Sequence, residues 1–248
     1  MFPDPADVPA PPAVPASRRD ARLRALFEVV LCSSYPTQLA IAGLLRLAGL
    51  APTGPDGQLS GTFVFTLSLL DAVVLLSLIV FFLRRGGESP ARLFLGARSS
   101  LREAALGLAL LPAVFMAVVT VLLLVQALAP GLRNVPVNPL GALADTPWGL
   151  AGFVVVVLVA GGLREELQRA FLLHRFERHL GGAAVGVVVT SLAFGLGHTV
   201  QGWDAAIATG VLGFAWALLF LWRRSVVAGV VSHALFNCAE LLRAALLP

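Results

Sequence analysis

Apolar residues in this chain come in long, nearly unbroken runs separated by short stretches rich in arginine, glycine and proline. Seven such runs lie at about 26–50, 61–83, 104–128, 149–174, 183–202, 204–222 and 226–246. A helix of roughly 20 apolar residues crosses a bilayer's hydrocarbon core. The pattern therefore predicts an all-α fold, a polytopic transmembrane helical bundle of about seven spanning helices. The first run is the weakest, because it holds Ser33, Ser34, Tyr35, Pro36, Thr37 and Gln38. A kinked helix or a broken pair is expected there, with Pro36 as the kink.

Composition agrees with lipid as the solvent. Hydrophobic residues make up 58% of the 248 and charged residues only 13%, about half the roughly 25% of a soluble domain. The net charge of +4 comes entirely from arginine, with no lysine. These arginines sit between the apolar runs rather than in one patch, which argues against nucleic-acid binding and for a role in orientation. Arg18, Arg19, Arg22 and Arg24 precede the first run, and Arg84, Arg85, Arg92, Arg98 and Arg102 follow the second. Arg175 and Arg178 follow the fourth run, and Arg223 and Arg224 the sixth. The alternate loops carry only Arg133. A multi-pass protein of the cell membrane is expected, with its N-terminus cytoplasmic and its C-terminus outside.

Residues 1–24 are dense in proline and alanine and then basic, so they are expected to be a disordered tail. They lack the pattern of a secretory signal, which leaves the first spanning helix as the targeting element. Residues 25–248 then form one transmembrane domain. Cys32 and Cys238 lie inside apolar runs and share no Cys-x-x-Cys spacing, so they are read as small core residues.

The candidate chemistry lies inside the runs. Residues 149–163 alone would make a helix of about 22 Å, short of the roughly 30 Å needed. Continuing through Arg164, Glu165, Glu166, Gln168 and Arg169 completes the crossing and puts charge into hydrocarbon, at roughly 2.5–3.5 kcal/mol per residue. Such charges need partners, and Glu165 with Arg169, four residues apart, is the expected pair. Phe194–His198 (FGLGH) lies in the fifth run, and His233 and Asn237 (HALFN) share a face of the last. Gly195 and Gly197 are expected to let another helix pack closely. Asp71 and Glu240 are read as structural. Glu165 lies about 16 residues before the Gly181–Gly182 turn and His198 about 16 after it, so antiparallel helices hold them level. Counted from Arg175, Glu165 lies about 15 Å inside the cytoplasmic boundary, and counted from Ser225, His233 lies about 12 Å and Asn237 about 18 Å inside it.

A Glu, two His and an Asn at one depth suit amide hydrolysis. Burial makes a carboxylate a better proton acceptor, and a nearby arginine keeps it ionised. Water activated by Glu165 and His198 would attack a carbonyl polarised by His233 and Asn237. Neither a His-Glu-x-x-His zinc motif nor a Gly-x-Ser-x-Gly elbow occurs. The same residue types could hold Zn2+ or act without it.

These motifs resemble those of the CPBP family, the CAAX-protease and bacteriocin-processing membrane proteases related to type II CAAX prenyl endopeptidases. That family is marked by Glu-Glu-x-x-x-Arg, Phe-x-x-x-His and His-x-x-x-Asn, in order on separate membrane helices. Phe194–His198 and His233–Asn237 match outright, and the motifs together cover about 150–240. The first departs, because Arg169 stands one residue closer to the Glu165–Glu166 pair. Aligned on the arginine, Glu165 becomes the second glutamate and Arg164 replaces the first; aligned on the pair, both glutamates stay. The resemblance implies an intramembrane metalloendopeptidase acting on a peptide or protein tail, with Glu165, Glu166, Arg169, His198, His233 and Asn237 at its site. Two other readings stand beside it. One is a non-catalytic immunity factor or membrane scaffold. The other is a proton-coupled transporter, against which the lack of internal repeats counts.

Overall fold

The computed structural model describes residues 17–55 and 57–246, and these are almost entirely helical. The tail expected at 1–24 lies outside the described residues as far as residue 16. Its remainder departs from expectation, because the first helix, α1 (Arg18–Leu31), begins at once. The Ser17 side chain accepts from the Asp20 backbone N–H, and Asp20 lies in the first turn. A cap and a favourable helix dipole thus outweigh the basic, non-apolar composition.

The first run is a broken pair. α1 ends at Leu31, α2 spans Tyr35–Leu47, and the two meet at 43°. The break sits at Cys32–Ser34, with Ser34 at a φ of 71°. Pro36 is in the opening turn of α2, where its missing N–H costs nothing, so it starts a helix rather than kinking one. Then follow α3 (Gly61–Arg85), the short α4 (Pro90–Leu95) and α5 (Ser100–Leu128). The fourth crossing is continuous over Pro147–His179. It comprises α6 (Pro147–Val156), a π-helical segment Val157–Arg164, and α7 (Glu165–His179). Thr146 and Pro147 cap its start. α8 (Ala183–Leu196), α9 (Trp203–Arg223) and α10 (Val227–Leu246) complete the bundle.

Every predicted run is therefore helical, but not all are full crossings. Among the described residues, four helices are long and apolar enough to span a bilayer (α3, α5, the Pro147–His179 helix and α9), and the α1–α2 pair makes a fifth if it counts as one span. α8 has 14 residues, about 21 Å of rise, and stops short of the expected residue 202. α10 is long enough but interrupts its apolar run with His233, Asn237, Glu240 and Arg243.

The packed interior joins Leu75, Ile79 and Leu83 of α3 to Phe171 and Leu173 of α7 and Phe220 of α9. Nothing in the most apolar stretch of α5 is buried within the molecule, and its Leu108, Met116 and Leu123 point outward. An apolar face of that length is at rest only in lipid.

Candidate active site

The π-helical segment shapes the site. Two glycines within it, Gly161 and Gly162, lie directly against α10. A Cβ on Gly162 would come within 2.6 Å of the Ala234 Cβ, and one on Gly161 within 2.7 Å of the Asn237 amide nitrogen. Glycine weakens regular α-structure and permits this approach, and π turns recur at functional sites. Glu165 and Glu166 follow at once, aimed into the seam between the fourth crossing and α10.

Glu166 is the better-held carboxylate. It is 3% exposed, accepts a hydrogen bond from Arg169, and accepts another from His233 Nδ1 at 2.9 Å. Gly229 of α10 leaves it room, since a Cβ there would lie 2.8 Å from Glu166 Oε2. The expected Glu165–Arg169 pair is therefore not formed. Arg169 takes the neighbouring glutamate, three residues back, and its guanidinium lies over the Phe194 ring at 4.7 Å.

Glu165 is held loosely. Its oxygens lie 3.6 Å from Arg164 Nη2 and 3.7 Å from His233 Nε2, both beyond direct hydrogen-bond reach. It retains unused acceptor capacity beside two cationic or polar groups. His233 thus lies between the two glutamates, and the Trp216 indole stacks on its ring at 3.8 Å. The Trp216 N–H donates to Ser232, which fixes the indole. Behind Trp216, a cleft of about 350 Å³ opens between α5 and α9, lined by Leu110, Ala113, Ala117 and Leu212 among others.

His198 lies just beyond the end of α8 rather than inside a helix. Its Nδ1 is 2.8 Å from the Phe194 carbonyl, which can only accept, so Nδ1 carries the proton and Nε2 keeps its lone pair. Its ring meets Phe194 edge-on at 4.9 Å, and Phe194 meets His233 edge-on at 5.9 Å. His198 joins the cluster through Phe194 and touches neither glutamate directly. Gly195 serves close packing as expected: a Cβ there would lie 2.7 Å from the Ala206 carbonyl of α9. Gly197 instead faces the Tyr35 hydroxyl.

Several participants are not marked by the sequence. Trp216 is an ordinary aromatic residue of an apolar helix, and nothing in its spacing sets it apart, whereas Phe194 is marked by its place in the Phe-x-x-x-His motif. Asp71 is legible only as an isolated intramembrane charge. It is fully buried and accepts from Ser34, Thr37 and Gln38 at the break between α1 and α2. Arg164 lies between Asp71 and Glu165. Two arginines, Arg164 and Arg169, and the His233 imidazole are thus gathered with three carboxylates, Asp71, Glu165 and Glu166.

The donor set as placed does not fit a metal ion. Both nitrogens of His233 face carboxylates, Arg169 and His233 both engage Glu166 at Oε1, and His198 stands apart. Among the described residues no three of His, Cys, Asp or Glu come together as ligands.

Residues 146–239 match the family model described as type II CAAX prenyl endopeptidase Rce1-like. The match begins at the cap of α6 and ends two residues past Asn237, so it contains the six site residues read from the motifs. The resemblance drawn from those motifs holds over that segment. No curated protein and no solved structure matches the chain.

Proposed function

We propose, taking the Rce1-like segment as premise, that this membrane protein is an intramembrane endopeptidase hydrolysing a peptide or protein tail within the bilayer. The observation that carries the proposal is the pairing of an unsaturated Glu165 with His233, which is held between two glutamates and against Trp216. The arginine-rich loops support a cytoplasmic N-terminus, with the site reached from that side.

Glu165 takes a proton from water, and the water oxygen bonds to the scissile carbonyl carbon. His198 Nε2, with its proton fixed on Nδ1, accepts from and orients that water. The carbonyl oxygen becomes an oxyanion. It receives hydrogen bonds from His233 Nε2–H, whose other nitrogen donates to Glu166, and from the Asn237 amide one helical turn away. Glu165 returns its proton to the leaving nitrogen as the C–N bond breaks. Every step uses only the chain's own groups and one water.

The test is cleavage of a broad peptide library by detergent-purified protein, wild type beside Glu165→Gln, with and without a chelator. Glu165→Gln should reduce the rate by about 10²- to 10⁴-fold while the protein stays folded by gel filtration. A chelator should leave the wild type active; loss of activity would replace the metal-free scheme with a metal-assisted one. An inactive wild type would favour the immunity-factor or scaffold reading, and pH-driven flux in liposomes would favour a transporter.

A further inference from the structure

Arg164 is buried at the end of the π-helical segment, 7% exposed, and its Nε has no hydrogen-bond partner. Its surroundings are nevertheless built. Nη1 donates to Ser34 Oγ at 3.0 Å and to Gln168 Oε1 at 3.1 Å. Gln168 is itself anchored by donating to the Cys32 carbonyl at 2.9 Å. Ser34 donates its own proton to Asp71 Oδ2 at 3.2 Å. Asp71 is then saturated by Thr37 at 2.5 Å and Gln38 at 3.3 Å, and its Oδ2 lies 3.9 Å from the orphan Arg164 Nε. The remaining nitrogen, Nη2, lies 3.6 Å from Glu165 Oε1.

A buried ion pair is a poor source of stability, since well-packed apolar groups of like volume do as well or better. Retaining Asp71 and Arg164 in hydrocarbon, with one N–H unmatched, therefore calls for a reason other than stability. Their placement supplies one. The two arginines of the site are divided between the two glutamates: Arg169 holds Glu166, and Arg164 is the only arginine or lysine near Glu165 among the described residues. Every atom that fixes Arg164 comes from the break at Cys32–Ser34, from α3 or from its own helix, none of which carries another site residue except α7.

We propose that Arg164, set by Asp71 across the Ser34 hydroxyl, is a positioning residue that holds the Glu165 carboxylate aimed toward His233. The inference rests on the reading of Glu165 as the base. The start of α2 thus serves the site, because it brings the side chains of Ser34, Thr37 and Gln38 together on Asp71.

The test is a double-mutant cycle with two readouts, thermal stability and the split between kcat and KM, on full-length protein in detergent. Asp71→Asn should lower both stability and kcat, because it strands Arg164. Arg164→Gln should lower kcat at least about tenfold with KM little changed, as for an interaction made in the transition state. Arg164→Lys should recover part of that loss, since charge returns without the planar fork. In Asp71→Asn/Arg164→Gln both buried charges are gone, so stability should return while kcat stays low. A purely structural pair would restore both together, and that result overturns the proposal.

Should Glu165→Gln cleave normally, the base assignment fails. Should it be inactive while the Arg164 and Asp71 variants keep full kcat, only the present inference fails.

Discussion

α7 carries two clusters of Glu, His and Arg, about two turns apart, and they are built to opposite ends. Toward the arginine-rich end, Arg175 donates to Glu28 and to Glu88, both at 2.5 Å. His174 and Arg178 share the second Glu88 oxygen at 2.8 and 2.9 Å. Both Glu88 oxygens are engaged, and α1, the turn after α3, and α7 are tied together. At the other cluster Glu166 holds Arg169 and His233 on a single oxygen, Oε1, and Glu165 is left with neighbours only at 3.6 and 3.7 Å. Residue types alone do not separate the two. A carboxylate with all its lone pairs occupied is a clamp, whereas one with capacity left beside a histidine can take a proton from something else.

The sharpest way to break this comparison is substitution at its two centres. Glu165→Gln should cost about 10²- to 10⁴-fold in cleavage rate and move the melting temperature little, since no direct hydrogen bond is lost. Arg175→Met should do the reverse, destabilising the fold by about 3–5 kcal/mol by leaving Glu28 buried and unpaired. Its remaining folded fraction should cleave normally, read as rate per folded molecule after a denaturant titration. If Arg175→Met inactivated the folded protein, the division into clamp and site would fall.

Gly162→Ala probes the seam between them. The added methyl would meet Ala234 on a helix that cannot retreat without moving His233, so a loss of about 1–3 kcal/mol is expected. The larger companion variant Gly162→Val should abolish cleavage before it abolishes folding; equal stability of Gly162→Ala and wild type would show the seam to be slack.

The smallest effect is in acid. Burial opposes ionisation of Glu88, but Arg175 and His174 outweigh it and hold its pKa below the ordinary 4.5. A carboxylate with a depressed folded pKa adds stability above its unfolded value and loses it as pH falls through the folded one. Glu88→Gln should therefore lower the melting temperature at neutral pH, and its deficit should narrow as pH falls below 4.5. A constant deficit across that window would mean that the ionised form of Glu88 contributes nothing.

Much of this is legible in the chain, for stated reasons. Long apolar runs can only be helices in lipid, so the bundle follows, and the motif spacing names Glu166, His233 and Phe194, which the structure brings into contact. What does not show is anything that depends on rotation about a helix axis. The π-helical turns before Glu165 change which face each glutamate presents. Within α7 itself, Arg169 pairs with Glu166 three residues back, although i,i+4 spacing favours Glu165. α8 stops at Leu196 because two glycines flank its last residue, a local choice that apolar periodicity does not register. Helix α1 begins at Arg18 because of a single serine cap, which outweighs the composition of the segment around it.

The stacking of Trp216 on His233 gives the molecule a built-in optical probe. Trp216 is 3% exposed, whereas Trp148, Trp203 and Trp222 are 88%, 45% and 65% exposed. With those three replaced by phenylalanine, the remaining emission would come from one indole that stacks on the His233 imidazole, lies 5.7 Å from the Arg169 guanidinium and lines the apolar cleft. Its brightness would follow changes in the cationic groups around it. A brominated alkyl chain entering the cleft would quench it as well. Light from a single residue would thus report both the charge state of the site and the filling of the space behind it.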